Sequence, residues 1–252
     1  MAFSQLFVVA ALLGPVLLSG CSQKPLARMD NYLGSAGQKD AGAVYVQPTG
    51  SPGPVEAGLL LINDTTAEGS APAFSDATKA FLTDQVRRRA ETSIPVRIVK
   101  VVSLDNSTQP RDHQALVKIA RDQGLSNLLV ALFSSAESEV PMMLPFTADP
   151  EQGGGRPRAL GFEAVNYALA ELALIETSGG QVVARSNGRA WSRLNRLNVP
   201  VKSNGYPVIH RSLRVAPIYP TEVEAKDVLR SVAGDEALEQ AIYKLEQSWP
   251  KS

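Results

Sequence analysis

Gln123-Gly124-Leu125-Ser126-Asn127-Leu128-Leu129-Val130-Ala131-Leu132-Phe133 is the stretch on which the reading of the fold turns. A glycine followed by a nearly unbroken apolar run reads as the end of a helix and then a central strand. Glycine adopts the left-handed conformation that closes a helix, and an apolar run this short fits a strand covered on both faces. Immediately upstream, Arg111 to Gln123 places Leu116, Ile119 and Ala120 at helical spacing, which makes Gly124 the residue just past the helix end.

Further back, Pro95 opens Val96-Arg97-Ile98-Val99-Lys100-Val101-Val102, whose alternation fits a half-buried strand. Before it, Ser75 caps a predicted helix running to about Glu91. Ala77, Ala80, Phe81, Asp84 and Arg88 mark its turns, with Ala80, Phe81 and Val86 as candidates for its buried side. Leu59-Leu60-Leu61-Ile62, ended by Asn63-Asp64-Thr65-Thr66, reads as a strand meeting a turn. Strand, helix, strand, helix, strand is the order of an α/β unit.

Downstream, residues 138 to 157 carry Pro141, Pro145, Pro150 and Gly153-Gly154-Gly155 and read as a long loop. Leu160 to Ile175 and Gln181 to Leu194 read as two long strands joined around Ser178-Gly179-Gly180, a hairpin signal. The proline-rich residues 198 to 220 read as extended chain, and Thr221 to Trp249 as an amphipathic helix that Gly234 splits. Its stripe of Val228, Val232, Leu238, Ile242, Leu245 and Trp249 is expected to pack on the head; a partner-binding or oligomerising helix is the alternative. The expected fold is α/β (α+β): a single mixed sheet of about five strands with helices packed on it, a closing β-hairpin and a C-terminal amphipathic helix.

Composition bounds the function. Hydrophobic residues at 44% and charged residues at 20% describe an ordinary globular chain. The 25 basic and 25 acidic side chains cancel, which argues against bulk attraction to nucleic acid.

The N-terminus is different in kind. Leu6 to Leu18 holds no charged or strongly polar side chain, yet as a helix it reaches only about 20 Å, short of the roughly 30 Å hydrocarbon core. Such a run, broken by Gly14-Pro15, has the form of a signal-peptide core, although Met1 to Gln5 lacks Lys and Arg. Leu18-Ser19-Gly20-Cys21 then resembles the lipobox of bacterial lipoproteins, and Ser22 resembles their outer-membrane sorting pattern. The resemblance implies cleavage before Cys21, acylation of its thiol, and residence in the cell envelope, at the outer membrane facing the periplasm. It divides the chain into a signal peptide (1–20), an acylated cysteine with a Gly/Pro/Ser-rich tether (21–56), and a head (57–252). Within the tether, Tyr32-Leu33 and Val44-Tyr45-Val46 are candidates to dock on the head.

A second resemblance rests on the head. Leu59 to Thr66, Gln123 to Val130 and the turn Glu176-Thr177-Ser178-Gly179-Gly180-Gln181-Val182-Val183 resemble an α/β module of envelope proteins. Its members include the TolB N-terminal domain, the curli-secretion lipoprotein CsgG and the lipoprotein activators of penicillin-binding proteins. In layout, with Asp30-Asn31-Tyr32-Leu33 soon after the cysteine, the chain is also similar to rhombotarget lipoproteins, whose glycine-rich tail it lacks. Both resemblances bear on fold more than on activity.

Catalytic chemistry is hard to assemble from these residues. There are two histidines, His113 and His210, and one cysteine, with no zinc-ligand spacing, nucleophile elbow or phosphate-binding loop. No enzyme activity and no cofactor is expected. The strongest binding signal is the strand Gln181 to Leu194, where alternation puts Val183, Arg185, Asn187, Arg189, Trp191 and Arg193 on one face. Val182, Ala184, Ser186, Gly188, Ala190, Ser192 and Leu194 take the other, whose small residues invite a helix. Arg185, Arg189, Trp191 and Arg193 are therefore the candidate partner-binding residues, for an acidic protein, lipid headgroups or an anionic glycan. Arginines paired with glutamates of the neighbouring strand are the structural alternative. The expected function is a membrane-anchored, non-catalytic accessory or adaptor that binds another envelope protein. A self-assembling structural or secretion subunit, with homo-oligomers, and a cell-wall or lipid hydrolase are the alternatives.

Overall fold

The computed structural model describes residues 25, 27–34, 53–103, 110, 112–145, 158–198 and 205–249. Residues 1–20, read above as a signal peptide, together with Cys21, Val44-Tyr45-Val46 and Gly153-Gly154-Gly155, lie outside the described residues.

One mixed six-stranded sheet organises the described chain. Its strands are β1 (Val55–Asp64), β2 (Val96–Val102), β3 (Asn127–Pro145), β4 (Arg158–Glu176), β5 (Val182–Leu197) and β6 (Val208–Arg211), in the order β2-β1-β3-β4-β5-β6. β1 pairs in parallel with β2 and β3, whereas β3 to β6 run antiparallel. The helices are α1 (Met29–Leu33), α2 (Asp76–Ser93), α3 (His113–Asp122) and α4 (Ala225–Ser248). The α/β expectation holds, with one more strand than expected: β6, four residues within the proline-rich stretch.

The parallel unit follows from its capping chemistry. Ser75 accepts the Thr78 N–H at 3.1 Å and opens α2, and Asp112 accepts the Ala115 N–H at 2.8 Å and opens α3. Gly124 adopts φ +69°, donating to the Arg121 carbonyl while Leu125 N–H returns to Ala120. That pair of bonds is a Schellman closure, and Leu125 completes it by packing into the core. The α2 stripe differs from the expected one. Val86 is buried, but with Thr78, Leu82 and Ala90, and Phe81 is exposed. The i, i+4 row that meets α4 and the sheet runs one position past Phe81.

Two helices cover each side of the sheet. Leu59, Leu129, Phe133, Ala170, Leu172 and Ala190 pack under α2 and α4. Leu60, Ile62, Val130, Leu132, Ala173 and Ile175 pack under α1 and α3. α4 runs unbroken through Gly234 and lies on the small residues of β5, as expected of that face. A Cβ built on Gly188 would stand 2.0 Å from the Ala237 carbonyl oxygen and 2.5 Å from Ala241 N, so α4 needs glycine there.

Two further expectations are corrected. Residues 138 to 145 are not loop: β3 continues to Pro145, each residue paired with β4 out to Arg158. Both prolines are tolerated because β1 ends opposite Ser134, leaving the farther part of β3 with an edge that demands no N–H. Val183 does not share the face of Arg185. A bulge pairs Leu174 with Ala184 and Ile175 with Val182, which turns Val183 into the α2/α4 core and brings Val182 against the α1/α3 core.

Candidate partner-binding surfaces

The α1/α3 side of the sheet holds the charged residues singled out above, and one short segment organises them. Glu171 stands in the middle of β4 with 1% of its surface exposed. Its carboxylate accepts the backbone N–H groups of Arg28 (2.6 Å) and Met29 (3.0 Å), the otherwise unpaired donors at the start of α1. Arg185, from the adjacent strand, ion-pairs with Glu171 at 3.4 Å and with Asp30 of α1. Asp64, at the end of β1 and 2% exposed, accepts from Arg28 Nε at 3.3 Å and from the Thr66 hydroxyl and N–H at 2.6 and 2.8 Å. Burial works against this carboxylate, but the Thr66 bonds and Arg28 hold it below the usual range. Burial, and then the Asp64 charge, push the Tyr32 phenol up to about 12. Met29, Tyr32 and Leu33 enter the core. Tyr32-Leu33 therefore docks as the sequence suggested, and Arg185 serves that docking.

Arg189, Trp191 and Arg193 continue along β5 past the covered part. Trp191 stands directly opposite Tyr167 of β4, and both rings are half-buried. Arg193 lies over the Trp191 ring at 5.5 Å and reaches Glu163 of β4 at 3.5 Å. That ion pair is half open to solvent and contributes about 1 kcal/mol or less. Arg189 is exposed, and its guanidinium meets no carboxylate among the described residues. His210 is exposed on β6, opposite Arg193. The arginines thus divide: Arg185 is structural, Arg193 is paired across strands, and Arg189 points its charge outward.

A second surface lies at the far end of β3 and β4. Glu137 and Glu139 hold Arg230 and Lys226 of α4 at 2.8 and 2.7 Å, and Arg196 lies between Glu139 and the Phe162 ring. Lys226, and then Arg196, hold the Glu139 carboxyl below its ordinary value against the effect of burial. Beyond this polar girdle the hairpin exposes Met143 beside its cross-strand partner Leu160, and Val140 on the opposite face. The sequence did not point to this patch, because the prolines made residues 138 to 157 read as loop.

His113 lies elsewhere, in an open cleft of about 560 Å³ between α3 and the β4–β5 turn. Its Nε2 is buried without a partner, and Arg121 beside it donates to the Thr177 and Ser178 carbonyls. No Ser, Thr or Cys lines that cleft among the described residues, so it brings no hydroxyl or thiol to the imidazole. Among the described residues, no three His, Cys, Asp or Glu side chains converge to hold a metal ion, and no helix is long and apolar enough to cross a membrane. No protein-family model matches the chain, and no curated protein matches it.

Proposed function

We propose that this chain is a lipid-anchored protein of the bacterial envelope, acylated at Cys21, whose head is a non-catalytic adaptor for another envelope protein. The observation that carries the binding half of this reading is the extended β3–β4 hairpin. It runs past the helix-covered core and presents the cross-strand pair Met143 and Leu160 to solvent, on the face whose Glu137 and Glu139 pair with α4. Exposed apolar side chains rimmed by charged ones are the usual composition of a protein-binding patch. The anchoring half rests on the Leu18-Ser19-Gly20-Cys21 motif.

The test is in-cell photo-crosslinking from a reactive residue placed at Met143 or Leu160 of the full-length protein, with Cys21→Ser as the unanchored control. One envelope protein captured reproducibly from both positions, and lost from the control, is the expected result. Crosslinks only between copies of this chain would replace the adaptor with a self-assembling subunit.

A further inference from the structure

We propose that the α1 side of the sheet lies against the bilayer, with Arg189, Trp191 and Arg193 among anionic phospholipid headgroups. The inference rests on acylation of Cys21, as proposed above, and on where the chain is pinned behind it. Only seven residue steps separate Cys21 from Arg28, and at about 3.4 Å per step they span at most about 24 Å. Arg28 is fixed by Glu171, Asp64 and Thr66, and Met29 and Leu33 are sealed in the core. The residues between the anchor and the head are therefore not a long leash. The acyl chains stay within that reach of the middle of this sheet face.

The Arg/Trp patch falls inside the same radius. Tyr167, four residues along β4 from Glu171, is the cross-strand partner of Trp191, which places the indole about 13 Å from the docking point. Its chemistry suits a headgroup layer. Guanidinium forks bind phosphate oxygens in pairs, and Trp and Tyr rings settle at the boundary between headgroups and acyl chains. Arg189 carries a charge with no carboxylate against it among the described residues. A tether this short also keeps the bilayer at high effective concentration beside the patch, so contacts too weak to recruit the head alone can still orient it.

The chain contains its own control. Of its two tryptophans, Trp191 is half-buried on this face, and Trp249 is 8% exposed in the core on the other side. Full-length acylated protein would be reconstituted into phosphatidylethanolamine/phosphatidylglycerol vesicles containing a headgroup-nitroxide lipid. Mass spectrometry would first establish the lipid on Cys21. The expected result is that nitroxide lipid roughly halves the emission of Trp249→Phe, which keeps Trp191, and leaves that of Trp191→Phe unchanged. Adding Arg189→Glu and Arg193→Glu to Trp249→Phe should abolish the quenching. If Trp249→Phe does not fold, the unsubstituted chain and Trp191→Phe give the same contrast by difference. Unquenched Trp191 in protein of the acylated mass overturns the membrane face and leaves the anchor standing. Absence of lipid mass on Cys21 overturns both.

Discussion

Glu171 is an ionisable side chain between Leu169-Ala170 and Leu172-Ala173, in a strand that is otherwise apolar there. Its charge is tolerated because two backbone N–H groups and Arg185 converge on it. Replacing it with alanine leaves those donors and the guanidinium without their acceptor. Glu171→Ala should therefore lower stability by about 3 kcal/mol, read as a shift in the urea midpoint at unchanged m-value. A lone Glu in an apolar strand was visible in the sequence. Its partners were not, because Arg28 and Met29 lie more than a hundred residues away and no local pattern joins them. For Arg185 the structural alternative read from the sequence, pairing with a glutamate of the neighbouring strand, is the arrangement found, whereas alternation could not show that Asp30 also waits there.

At the level of elements, the α4–β5 contact depends on a row of small side chains. Gly188→Ala would push a methyl group into the Ala237–Ala241 backbone, and helix α4 cannot yield locally without lifting Leu238 and Ile242 from the core. We expect a loss of about 3 kcal/mol, the upper part of the usual cost of overpacking, measured by thermal or urea unfolding. The same change at exposed Asn187 should be nearly neutral. Elements whose signal is local were legible: the Ser75 cap, the Gly124 closure, the apolar β3 core and the β4–β5 hairpin. Elements decided by their neighbours were not. The far half of β3 looked like loop because Pro141 and Pro145 weigh against a strand, and only an edge without a partner strand among the described residues makes them acceptable. The bulge at Val183 likewise left no mark in the alternation that it reverses.

For the whole molecule, the perturbed groups bracket the pH range in which the fold is complete. In the folded chain the Asp64 and Glu139 carboxyls lie below their ordinary values, so folding weakens their hold on protons. The stability they contribute is present above about pH 4 and is lost as pH falls through their folded values. Tyr32 works in the opposite direction. Raised to about 12, its neutral form is favoured by folding, and that contribution is present below about pH 10 and lost as pH climbs through the folded value. Unfolding midpoints measured against pH should fall off on both sides. Asp64→Asn should blunt the acid limb and Tyr32→Phe the alkaline one, each at the cost of some stability at neutral pH.

The docking of Arg28 to Leu33 also sets an order of events during synthesis. This segment leaves the ribosome early, yet the carboxylate and guanidinium that hold it, Glu171 and Arg185, are made more than a hundred residues later. Contacts of such sequence separation close last, after their loop entropy has been offset by the structure already formed. The N-terminal segment therefore stays loose until the hairpin is in place, and its burial reports that the sheet is finished. A chain truncated before β4 keeps Asp64 and Thr66 to hold the Arg28 side chain but loses the Glu171 acceptor for the first N–H groups of α1, and so clasps the segment only in part.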